Sequence, residues 1–352
     1  MSDILLRELD NAEIDWLVTT GERLPLKVAD ALIQPGQALD FLYLLLEGEL
    51  MARSLTNEVI QLTRGALIGE EWLFDSKPVV AVTATSPAMV LAIPRADLTT
   101  KLRQDASFSA HFYKALALTL SERIRNLFEK SELLRYRSGQ MVKEALLVFG
   151  ELHDSDIDWM MCTGQLEKLS ADRVLLNAGR PVDALYTVLD GQLAIATTEN
   201  PCDPLSTCSH GLEELGATQN FNPIAYISRG SLPGIISFLD FQPLPVRIHA
   251  VKEALLLAIP RRQVVIKLQE DLSFAARFYK VIATQMASLL STVVSLDGEG
   301  SSMGAAKVSD FDNTLGEGGM EEDELDLAAL QRVSQGASKF DWMLKQLGVG
   351  CR

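Results

Sequence analysis

Cysteine is scarce in this chain, four residues in 352, and none stands in a Cys-x-x-Cys pair. A disulfide framework is therefore not expected, and reduced thiols in a cytosolic chain fit better. Histidine is equally rare: His111, His153, His210 and His249 fall at helix, linker, insertion and strand positions that suggest no catalytic triad. Long apolar runs are missing as well. Ala254–Pro260 and Leu42–Leu46 fall far short of the roughly 20 residues that a membrane-spanning helix requires, so no transmembrane span is expected. The start, Met1-Ser-Asp-Ile-Leu-Leu-Arg-Glu, has no basic segment followed by an apolar one. No secretory signal is read there, and the expected compartment is the cytoplasm. Basic charge is in deficit, with 32 Lys and Arg against 47 Asp and Glu and a net charge of −15. That balance argues against nucleic acid, whose phosphates are bound by Lys and Arg.

What the chain does have is a repeat, sought first because missing one misassigns the fold. Ile14-Asp15-Trp16 recurs as Ile157-Asp158-Trp159, Gly36 as Gly179, Tyr43 as Tyr186 and Gly48 as Gly191, each 143 residues apart. Arg64-Gly65 then recurs as Arg229-Gly230 and Gly69 as Gly234, 165 apart, so about 22 residues are inserted near 192–228. Leu91–Arg95 recurs as Leu257–Arg261 and Phe112-Tyr113-Lys114 as Phe278-Tyr279-Lys280, 166 apart. Two homologous domains are expected over 10–150 and 153–297.

Within each copy, short apolar runs broken by turn residues (Phe41–Leu46, Glu49–Ala52, Val79–Thr83, Met89–Ile93) read as strands of a barrel or jelly roll. Helices follow, with Phe108, Phe112, Leu116, Leu120, Ile124 and Leu127 at three- and four-residue steps, and Phe274–Val293 behaves alike. A break at Ser138-Gly139 and a linker helix from Gln140 to His153 are expected. Segment 297–330 holds ten acids against Lys307 alone and carries −9 of the −15. Such a composition cannot offset chain entropy by burial, so 298–335 is expected to be a disordered acidic tether. A short interaction helix is expected over 336–352. Phe340-Asp341-Trp342-Met343 there echoes Ile157-Asp158-Trp159-Met160. A helix this short needs a groove, so Phe340, Trp342, Met343 and Leu347 are partner-binding candidates, or dock on a barrel of this or a neighbouring chain.

In order, Gly48, Gly65, Gly69-Glu70, Ala84 and Ile93-Pro94, with an independent match in the second copy, resemble the cyclic nucleotide-binding domain. The family includes the catabolite activator protein and the regulatory subunits of the cyclic-AMP-dependent kinase. The resemblance implies a mainly β fold, two jelly rolls in tandem with flanking helices. It also implies a cassette in which backbone N–H groups and an Arg hold the cyclic phosphate while a Glu accepts from the ribose. Glu70 stands in the Glu position. The Arg position falls at Pro78 or Val79, and Lys77 beside it is a point charge without the bidentate fork. The second copy has Ile235 for the Glu and Leu244 or Pro245 for the Arg, with Arg247 and His249 nearby.

The resemblance makes Gly69, Glu70, Lys77, Ala81 and Val82 ligand candidates in the first domain, and Gly234, Ser237 and Arg247 in the second. Cyclic AMP or GMP is expected to bind weakly or not at all by the family's mechanism, since an unpaired phosphate costs a few kcal/mol. No resident cofactor, metal or catalytic residue is expected. Family members that bind DNA carry a helix-turn-helix after the long helix, and none is read here. Cys202, Cys208 and His210 in the insertion match no common zinc spacing. The expected function is a non-enzymatic regulatory or adaptor protein, with a true cyclic-nucleotide sensor and an enzyme's regulatory subunit as alternatives. The long helices offer a surface for homo-oligomerisation.

Overall fold

The structure is a computed structural model and describes residues 4–54, 59–74, 78, 80–130, 140–141, 147–196, 223–295 and 322–349. The first domain opens with helices α1 (Ile4–Glu8) and α2 (Asn11–Thr20). Strands β1 (Glu22–Leu26), β2 (Ala31–Ile33), β3 (Phe41–Glu47), β4 (Leu50–Ser54), β5 (Val59–Leu62) and β6 (Leu67–Ile68) follow. A 3-10 turn at Glu70–Phe74 leads to β7 (Val80–Ala84), β8 (Ala88–Pro94), α3 (Arg95–Gln104) and α4 (Ala106–Lys130).

The second domain repeats the order: β9 (Gln140–Met141), α5 (Leu147–Glu151), α6 (Asp154–Thr163), β10 (Gln165–Leu169), β11 (Val174–Leu176), β12 (Ala184–Asp190) and β13 (Leu193–Ala196). Then come β14 (Pro223–Ile227), α7 (Ile235–Asp240), β15 (Arg247–Ala250), β16 (Ala254–Pro260), α8 (Arg261–Glu270) and α9 (Leu272–Ser295), with α10 (Glu322–Gln346) last.

Each domain is a mainly β jelly roll of two facing sheets, β1-β8-β3-β6 with β2-β7-β4-β5, and β10-β16-β12 with β11-β15-β13-β14-β9. The registers repeat. Leu42 pairs with Ile93 as Leu185 pairs with Ile259, and a bulge interrupts β3 between Leu45 and Glu47 as it interrupts β12 between Val188 and Asp190. Inward positions are Val, Ile and Leu, and period 2 sends alternate residues to the core.

The helices repeat as well. Asp105 and Asp271 accept from the backbone N–H of Phe108 and Phe274, which caps α4 and α9. Trp16 meets Phe108 edge-on at 5.3 Å, and Trp159 meets Phe274 at 5.4 Å. The Ile-Asp-Trp motif is thus a core anchor. Glu8 pairs with Lys114 as Glu151 pairs with Lys280, each at 2.7 Å. Glu13 holds His111 at 2.9 Å in the place where Asp156 holds Arg277 at 2.7 Å. These pairs extend the repeat upstream to α1 and α5, ahead of the expected starts at 10 and 153.

One expectation is corrected. Gln140–Met141 is strand rather than helix: it pairs in parallel with β14, whose edge offered unmade backbone hydrogen bonds, and among the described linker residues Leu147–Glu151 is helical. Of the expected acidic tether, 298–321 lie outside the described residues, and 322–335 lie within α10. The long helices α4 and α9 pack against each other within the chain and form the most extensive helix contact. No described helix is long and apolar enough to cross a membrane.

Candidate functional site

The candidate site is the segment after β6 in the first domain and after β14 in the second, where the chain leaves the roll and turns into a short helix. Gly69 and Gly234 make the turn with φ of +85° and +76°, the left-handed region open to glycine. A Cβ at Gly234 would overlap Leu176.

In the first domain the turn presents Glu70, which is 5% exposed. Its carboxylate is already taken. Arg123 of α4 donates from Nη1 to Glu70 Oε1, and from Nη2 to the Leu67 carbonyl at 2.7 Å. A ribose hydroxyl would have to compete with that charge-assisted bond. Beside it, burial and then the Glu70 carboxylate push Glu71 up to about 7, against a smaller pull from its own backbone N–H and from Arg123. Trp72 lies under the Arg95 guanidinium at 5.1 Å.

Pro78, one of the two positions for the missing Arg, is buried, and its carbonyl accepts from Gly36 N–H at 2.9 Å. In the second domain Leu244 accepts from Gly179 N–H at 2.8 Å. Gly36 and Gly179 are repeat partners, so Pro78 and Leu244 are equivalent, and the residue at that position is apolar in both copies. Val82 is buried, whereas Ala81 is half-buried on the other face of β7. Lys77, Val79, Cys202, Cys208 and His210 lie outside the described residues.

The second domain encloses a cavity of about 60 Å³, room for a few water-sized spheres at about 10–15 Å³ each. Ile195, Leu232, Ile235, Leu244 and Leu289 line it, and Phe128 of α4 joins them from the first domain. At Glu70's position stands Ile235, and at Arg123's, counted along the repeat, stands Leu289. The ion pair of one domain is an apolar pair in the other. Gln285 of α9 takes over Arg123's contact with the backbone: its Nε2 donates to Gly230 O at 2.9 Å, and its Oε1 accepts from Leu232 N–H at 3.0 Å.

Two expected ligand residues of this domain do not face the cavity. Val246 and Ile248 point inward along β15, so period 2 turns Arg247 and His249 to the opposite face. There burial, opposed by Asp172 and assisted by Arg247, lowers His249. Ser237 is buried, but its hydroxyl donates to the Gln242 carbonyl.

Sequence reasoning missed Arg123 and Arg125. Arg125 forks onto Asp240 at the end of α7, Nε to Oδ2 at 2.6 Å and Nη2 to Oδ1 at 2.7 Å, and Ser121 donates to the same carboxylate at 2.9 Å. The first domain's helix thus clamps the second domain's cassette helix. A signal was present, because Arg123 shares a helix face with Leu120 and Leu127, and a cation on an apolar stripe needs a buried partner.

The expected partner-binding residues are engaged within the chain. Phe340 is 1% exposed and meets Phe149 of α5 edge-on at 4.9 Å, and Met343 is 0% exposed. Lys339 donates to the Leu152 carbonyl at 2.6 Å. Trp342 and Leu347 are only partly buried.

Residues 23–105 match the family model for the cyclic nucleotide-binding domain. The second domain repeats the fold of the first. No curated protein matches the chain.

Similar solved structures include the regulatory domain of Toxoplasma gondii protein kinase A with cAMP, at 13% identity and TM-score 0.27, covering 78% of this chain and 90% of that one. The regulatory subunit of a cAMP-independent protein kinase A from Trypanosoma brucei is 14% identical with TM-score 0.27, covering 77% and 89%. The Thermus thermophilus catabolite activator protein is 21% identical with TM-score 0.32, covering 47% and 75%.

Proposed function

We propose that this chain is a non-enzymatic regulatory protein, an adaptor in which two cyclic nucleotide-binding-type domains act through protein contacts and neither holds a cyclic phosphate by the family's mechanism. The observation that carries this reading is the repeated cassette. In the first domain the one family-type ligand, Glu70, is paired by Arg123. In the second, the equivalent positions Ile235 and Leu289 line a small apolar cavity. An unneutralised phosphate in either place would be desolvated without a partner.

The family match favours a second reading, a sensor of cyclic nucleotides that controls a partner such as a catalytic subunit. Affinity purification from the native cell, with mass spectrometry of copurified proteins and bound small molecules, separates the two. The adaptor reading expects a stoichiometric protein partner and no cyclic nucleotide. A chain that arrives loaded with a cyclic nucleotide would overturn it.

A further inference from the structure

The repeat extends to the surface that holds α10, and among the described residues only one copy of that surface is filled. In the second domain α10 seats on α5. Phe340 meets Phe149, Lys339 donates to Leu152 O, and Arg229, on the turn before Gly230, lies over the Phe340 ring at 5.6 Å and pairs with Asp341 at 3.7 Å. The first domain keeps the same receptor groups at the repeat positions: Leu6 for Phe149, Leu9 for Leu152 and Arg64 for Arg229. There Leu6 is 41% exposed, where Phe149 is 1% exposed, and Arg64 is exposed. Arg7 stands where the second domain has Gly150 and is paired with Glu8 at 3.0 Å.

We propose that Leu6 and Arg64 mark a second helix seat, which receives an acidic amphipathic helix of a partner protein carrying an aromatic–acid pair like Phe340-Asp341. The chemistry of the occupant follows from the filled copy: an aromatic for the leucine and a carboxylate for the arginine. The exposed cation Arg64 selects an acidic segment. The chain's own α10 is committed, with Phe340, Met343 and Leu344 buried in the first seat. A second copy would have to vacate that seat to donate its helix. The proposal deepens the adaptor reading by naming where a partner binds, and it does not depend on whether the cassettes take nucleotide.

The test uses a fluorescein-labelled synthetic peptide of residues 322–349 as a mimic of the partner helix, titrated with the full-length chain and read by anisotropy. Saturable binding is expected. Leu6→Glu and Arg64→Glu, both at exposed positions, should each weaken it by about tenfold or more, whereas Arg229→Glu, in the filled seat, should not weaken it. Absence of saturable binding would overturn the proposal. So would binding that is lost with Arg229→Glu and unaffected by Arg64→Glu, since the peptide would then be exchanging into the filled seat. Self-association of the full-length chain that Leu6→Glu abolishes would also overturn it, by making the occupant a second copy. Nucleotide titration tests the adaptor reading separately, so the failure of one is distinguishable from the failure of the other.

Discussion

Arg123 reaches from α4 to Glu70 and neutralises it, at the two repeat positions where the second domain has Leu289 and Ile235. Charge against charge in one copy is exchanged for methyl against methyl in the other. Neither solution leaves Glu70 or its counterpart Ile235 free to take a ribose hydroxyl.

The exchange predicts a non-additive pair of substitutions. Arg123→Leu alone leaves a buried carboxylate without its cation and should cost about 3–5 kcal/mol. Adding Glu70→Ile, which recreates the second domain's pair, should restore most of that loss, because well-packed apolar replacements of buried ion pairs are often neutral. Urea unfolding of the single and double variants checks this.

Glu71 predicts a pH dependence. Its folded value is raised from 4.5 to about 7. Between those values the folded chain keeps a proton that the unfolded chain has released. Its contribution to stability therefore falls as pH rises through that window and is level above it. Glu71→Gln, always neutral, should stabilise the chain relative to wild type at pH 8, with a gain that shrinks toward pH 4.5. Chemical unfolding of both proteins across this range is the measurement.

The Arg125–Asp240 clamp predicts cooperativity between the domains. Both side chains are about nine-tenths buried, and Arg125→Ala should cost about 3–5 kcal/mol by leaving Asp240 unpaired. The loss falls on the contact between domains. Scanning calorimetry should therefore show a single transition in the wild type separating into two in the variant.

The α10 seat predicts release on a single truncation. Phe340→Ala removes the ring against Phe149 and should cost roughly 3–5 kcal/mol locally. Limited proteolysis should then cut within 322–349 while both jelly rolls stay intact.

Much of this was legible in the sequence, because the repeat offsets fixed the strand order and identical spacings produced identical bulges and helix caps. Glu8 and Glu151 also lie 143 apart, so the upstream start of the repeat was readable there. The substitutions at Pro78 and Leu244 could be counted out from Ile93-Pro94. The Arg123–Glu70 and Arg125–Asp240 pairs were not legible: their partners lie 53 and 115 positions apart, and no local period ties a helix cation to a distant turn.

The central claim, that neither cassette takes a cyclic phosphate, is tested most directly by calorimetric titration of the full-length chain with cyclic AMP and cyclic GMP at submillimolar concentration. No saturable heat with either nucleotide is the predicted result. Micromolar binding that Glu70→Ala removes would contradict it.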